Sequence, residues 1–145
     1  MTFPAGSFAE SMLYGRYVTR ADTITMVSGT TGATGQHDLF TVSGPVQAIV
    51  VGYCGGDLTS GGGATISVGT ATVVDGCLAV TGFDALDAGM MWIDNAPSDC
   101  EAESGNRCVF VAANITYDVL VAAISGGELD FSCFWTPLAA GATVT

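Results

Sequence analysis

The sequence predicts an all-β fold: a single antiparallel β-sandwich or barrel of about eight short strands with an extended N-terminal arm. Three observations carry that prediction. Short apolar runs alternate with Gly-, Ser- and Thr-rich turn signals, the C-terminal end shows clean period-two alternation, and no helical period is sustained anywhere in the 145 residues. A chain of this length fits one domain and buries a sizeable core.

Residues 1–21 differ from the rest. They hold Phe3, Phe8, Leu13, Tyr14 and Tyr17, with Arg16 and Arg20 among them, and no period organises them. They read as an arm that orders against a partner, the alternative being that they pack on their own domain. Residues 28–37 form a Gly/Thr/Ser loop. The chain therefore divides into an arm and loop over 1–35 and a β domain over 36–145.

Within the β domain, residues 38–43 alternate and residues 45–53 are continuously apolar, with Ser43-Gly44-Pro45 as the turn between them and Pro45 at a tolerated strand start. Gly55-Gly56 and Gly61-Gly62-Gly63 read as turns, the second leading into 64–68, where Ile66 and Val68 share a face. Further strands are expected over 73–80, 90–93 and 108–111. The strongest local signal is a hairpin of 115–124 and 128–135 closed by Gly126-Gly127. In it Leu129, Phe131, Cys133 and Trp135 face one way, and Glu128, Asp130 and Ser132 the other. The first of these strands is apolar on both faces, as a central strand would be.

Composition narrows function. Fourteen acids stand against three arginines, no lysine and one histidine, giving a net charge of −11 in a chain that is 49% hydrophobic with 20 glycines. Such a charge repels phosphate backbones and anionic membranes, so neither nucleic acid nor membrane is expected as a partner. The charged fraction is 12%, against about 25% in ordinary soluble domains. The deficit suggests a surface covered by copies of itself or by a partner; the alternative is a monomer wetted by hydroxyls. No secretion signal or membrane-length apolar run is seen, which makes the acceptor triplet Asn114-Ile115-Thr116 a chance match.

Chemistry-bearing constellations are sparse. His37, the only imidazole, is expected to cap a strand end rather than act as a base. The acids Asp84, Asp87, Asp94, Asp99, Glu101 and Glu103 lack the spacing of a calcium loop and read as a solvated stretch. The glycine loops are followed by neither a Lys-Ser/Thr pair nor a helix pattern, so phosphate cradles fail. No catalytic residue, metal site or cofactor is expected, and the chain is read as a non-enzyme. Five cysteines, an odd number, argue against an obligatory disulfide framework. Cys100 and Cys108 flank the polar loop 101–107 and are the one candidate bridge.

The run Asp38-Leu39-Phe40-Thr41-Val42-Ser43-Gly44, the segment Ala88-Gly89-Met90-Met91-Trp92-Ile93-Asp94 and above all Glu128-Leu129-Asp130-Phe131-Ser132-Cys133-Phe134-Trp135-Thr136-Pro137-Leu138 resemble small all-β head-decoration (capsid cement) proteins of tailed bacteriophages. The resemblance spans roughly residues 36–145, with the closing strand the most specific part. It implies a structural virion protein, made in the host cytoplasm, that sits on the outer capsid surface as a homotrimer and clamps the major capsid protein. The capsid contacts are then expected in the arm, through Phe3, Phe8, Leu13, Tyr14, Arg16, Tyr17 and Arg20, with the two arginines meeting capsid carboxylates. Two alternatives stand beside this: a tail or fibre component of the virion, and a carbohydrate-binding β-sandwich module. The last would use Trp92 and Trp135 as stacking platforms, although the alternation around Trp135 favours its burial.

Overall fold

A computed structural model describes residues 17–93, 96–98 and 108–145. In chain order the strands are β1 (Tyr17–Arg20), β2 (Ile24–Thr25), β3 (Gly35–Phe40), β4 (Val42–Ser43), β5 (Val46–Thr59), β6 (Thr65–Gly69), β7 (Leu78–Gly82), β8 (Met91–Ile93), β9 (Ala96–Ser98), β10 (Cys108–Val111), β11 (Ile115–Leu120), β12 (Gly126–Pro137) and β13 (Thr143–Val144), with one 3-10 turn at Phe83–Ala85. The protein is all-β, built as an antiparallel sandwich. A seven-stranded sheet runs β1-β12-β5-β8-β9, with β2 added to β12 and β10 to β5. A four-stranded sheet runs β3-β11-β6-β7, and β13 pairs with β4.

Period-two patterning explains the larger sheet. Along β5, Val46, Ala48, Val50, Gly52 and Cys54 are buried while the residues between them are partly or fully exposed. On β12, Leu129, Phe131, Cys133 and Trp135 are the buried set, as the alternation predicts. These side chains join Ile66, Val68, Leu78, Ile115, Tyr117 and Val119 of the smaller sheet in one apolar core. Burial of this area is the main driving force for the fold. On β11, residues 115–119 are all buried, in keeping with a central strand flanked by β3 and β6.

The structure corrects the sequence reading at four places. First, β11 and β12 do not form a hairpin; they lie in different sheets. Val121 turns the chain at φ 72, and the crossing segment is tied down by Ile124 N–H donating to Gly32 O (2.8 Å) and Ser125 N–H to Thr59 O (2.7 Å). Gly126 and Gly127 belong to β12 itself. Gly127 sits at φ 107 beside a register shift, where a Cβ would lie 2.6 Å from Asp57 O, so the pair builds a bulge rather than a turn. Second, Gly55-Gly56 lies inside β5, opposite Glu128, and only Gly63 (φ 72) marks a turn in the second glycine run.

Third, residues 73–77 are a loop rather than a strand. Thr70 and Gly76 N–H both donate to Val73 O (2.9 and 3.1 Å), and Ser67 Oγ donates to Val74 O (2.9 Å), which holds the loop against the smaller sheet. Fourth, residues 17–35, assigned to arm and loop, are part of the sandwich. β1 pairs with 132–135 of β12 and β2 with 128–129. Thr19 Oγ1 donates to Val144 O (2.8 Å) and accepts from Trp135 Nε1 (3.0 Å), joining β1, β12 and the C-terminal strand. The physical cause is tertiary: a four-residue strand with no period of its own is recruited by a partner over a hundred residues away in the chain.

Candidate functional site: the outer face of the larger sheet

The residues that carry chemistry elsewhere are committed here to structure. His37 lies within β3, its Nε2 2.8 Å from Ala33 O and its ring stacked on Tyr117 at 4.7 Å. Tyr117 OH donates to Thr31 O (2.8 Å), and burial pushes its pKa up to about 12. Cys54 is buried, with Sγ donating to Leu86 O (3.1 Å); desolvation raises its pKa. Burial, with nearby Cys77 adding to it, pushes Cys133 up to about 12. Neither thiol is poised as a thiolate nucleophile. Among the described residues no three His, Cys, Asp or Glu side chains converge as metal ligands.

Asn114, of the acceptor triplet, holds the backbone instead: its Oδ1 accepts from Val42 N–H at 3.0 Å. Trp92 is fully buried against Phe131, and Trp135 is 8% exposed with Tyr17 stacked on it at 4.8 Å. The two rings are therefore core residues and present no platform for a sugar.

Several large apolar side chains are nonetheless exposed among the described residues. Strand register places side chains of adjacent strands in rows, and the outward row of the larger sheet reads Val18, Phe134, Ile49, Cys108 across β1, β12, β5 and β10. Val18 is 52% and Phe134 37% exposed. The next row holds Arg20, Ser132 and Val51, and the one beyond it Asp130, Tyr53 and Met91. On the other side of the first row lies Phe110, at 75% exposure the most open aromatic among the described residues. At the far end of the same face stand Glu128 and, beyond it, Asp57 on β5.

Beside Phe110 a cleft of about 350 Å³ opens between β10 and the 70–77 loop, lined by Val73, Cys77, Val109 and Val111. It lacks the converging polar groups that orient a small molecule.

Of the residues singled out from sequence as capsid contacts, Tyr17 and Arg20 are placed, and they point to opposite sides of β1. Tyr17 covers Trp135 at the sheet edge, while Arg20 joins the outer face. Phe3, Phe8, Leu13, Tyr14 and Arg16 lie outside the described residues. Cys100 of the candidate bridge also lies outside them. Cys108 is an exposed free thiol, with Gln47 Nε2 donating to its Sγ at 3.0 Å. Sequence reasoning missed Val18, Ile49, Tyr53 and Phe110 as a joint surface. Phe134 was detectable, since it shares the parity of Glu128, Asp130 and Ser132 yet is aromatic.

Among the described residues no helix is long and apolar enough to cross a membrane. Compared with models of protein families, with curated proteins and with solved structures, the chain matches none.

Proposed function

We propose that this chain is a structural virion protein, a decoration or cement protein that assembles as a homotrimer on the outer surface of a phage capsid and stabilises the head. The observation that supports this best is the outward apolar row Val18, Phe134, Ile49, exposed at Val18 and Phe134, on a sheet whose other face is a closed core. Contiguous exposed apolar surface of this kind marks protein contacts rather than catalysis. The acidic, lysine-free composition fits a protein that stays indifferent to the DNA packaged beneath it.

The placement of β1 changes how the capsid contact is tested. Deleting residues 1–21 would strip an edge strand from the sheet, so the informative truncation removes residues 1–16, which retain Phe3, Phe8, Leu13, Tyr14 and Arg16 as the capsid-binding set. Heads purified without this protein are incubated with full-length or truncated chain and sedimented. Full-length protein is expected to sediment with heads in high copy and to raise the temperature at which they release DNA. The truncated chain is expected to stay folded and remain in the supernatant. Full-length protein that neither binds nor stabilises heads would refute the reading.

A further inference from the structure

We infer that the outer face of the seven-stranded sheet is the surface through which copies of this chain meet. Among the described residues the face is apolar where it is most open and charged only at its borders, and both signs are present on it. Arg20 flanks the row Val18, Phe134, Ile49, and Asp130 and Glu128 lie beyond it on β12. Arg20 is the one Lys or Arg among the described residues, the other two arginines being Arg16 and Arg107. It forms no ion pair among them. Asp130 is held in place by Thr23, whose hydroxyl donates to Oδ1 at 2.6 Å.

Charge decides which partner fits. Two copies at −11 each repel over most of their surfaces. They approach without opposing acids only over a carboxylate-free patch, and the row Val18, Phe134, Ile49, Cys108 is one. A second copy also brings its own Arg20 and Asp130, so each cation meets a carboxylate of its neighbour. A generic acidic partner would leave Asp130 and Glu128 opposed by like charge, whereas a copy of this chain is complementary to itself.

Size is consistent with this. Four strands about 4.8 Å apart, over five residues at about 3.4 Å each, give roughly 300 Å² of flat face, with the apolar row at its middle. That is the centre of a contact whose standard size is about 800 Å² per partner, with the charged border and Phe110 supplying its rim.

The inference shares with the proposed function only the premise that the chain assembles, and it is tested without any capsid. Light scattering on purified full-length chain at about 50 μM, above the micromolar Kd a modest contact of this kind gives, is expected to report a multiple of the 14.7 kDa chain mass. Val18→Asp and Phe134→Asp, each checked for folding by circular dichroism, are expected to weaken association at least tenfold and return the monomer mass. Val18 is half exposed, so its substitution leaves the core untouched and decides the matter should Phe134→Asp misfold. Arg20→Glu is expected to weaken association, and adding Asp130→Arg to restore it.

A monomeric wild type at that concentration, or an undiminished oligomer in folded Val18→Asp, would overturn the inference. A monomer that still decorates heads would overturn it and leave the virion role standing. A face-dependent oligomer that ignores heads would do the reverse.

Discussion

Replacing Thr19 with valine tests whether β1 belongs to the folded domain. The hydroxyl accepts from Trp135 Nε1 at 3.0 Å and donates to Val144 O at 2.8 Å, tying an edge strand to β12 and to the C-terminal strand. Valine keeps the volume and β-branching, so the loss is confined to polar contacts. Each hydrogen bond contributes about 0.5–1.5 kcal/mol net, so two give about 1–3 kcal/mol. Burial of Trp135 and Val144 places the value toward the upper end, because their N–H and C=O lose a partner where water reaches poorly. With a urea slope of about 2 kcal/mol/M for a domain of this size, the midpoint should fall by roughly 0.5–1.5 M. Urea unfolding followed by tryptophan fluorescence measures this directly. Val80→Thr, on an exposed strand position, serves as control and should stay within about 0.5 kcal/mol of wild type. A Thr19→Val midpoint indistinguishable from that control would mean that β1 is not docked in solution, and the assignment of residues 17–20 to the sheet would fail.

Further outcomes follow from other contacts. Gly69→Ala places a Cβ on the backbone of the 70–77 loop, overlapping the Val73 carbonyl and 2.7 Å from Val74 C; because backbone must move, about 2–3 kcal/mol of stability should be lost in thermal unfolding. The Tyr117 pKa, raised by burial from 10.0 to about 12, means that the unfolded state releases its proton first. Its contribution to stability is complete below pH 10 and is lost as pH rises through 12. Tyr117→Phe should lose about 1 kcal/mol with the bond to Thr31 O, and its urea midpoint should fall less steeply over that range. Among the four described cysteines, Cys108 should be alkylated in the native protein, whereas Cys54, Cys77 and Cys133 should react only after unfolding. A mass-resolved time course with iodoacetamide checks this, and early labelling at Cys133 would contradict its burial.

The inward set of β12 was legible from sequence because alternation at Leu129, Phe131, Cys133 and Trp135 is a local property. Its partner strands were not. Gly126-Gly127 satisfies a tight turn and a bulge equally well, since both need φ > 0, and only the requirement that β11 be covered by β3 and β6 sends the chain to the other sheet. Gly55-Gly56 reads as a turn for its glycines alone, yet neither adopts a positive φ and both lie inside β5, Gly56 paired with Glu128. Tyr17–Arg20 carries no period, so its recruitment by Trp135 is invisible locally. The candidate interface was hidden for a related reason: Val18, Phe134, Ile49 and Phe110 come from four strands and become neighbours only through register. Phe134 alone announced it, as an aromatic among the polar outward residues of β12.

The central claim, that this chain is a capsid-surface protein whose function is to be covered, is tested most directly by imaging phage particles made with and without it. The account expects density on the outer head in copies numbering in the hundreds, grouped in threes and absent from the particles lacking the chain, which should also be less stable. Heads identical in both preparations, or density confined to the tail or to a single ring, would contradict it.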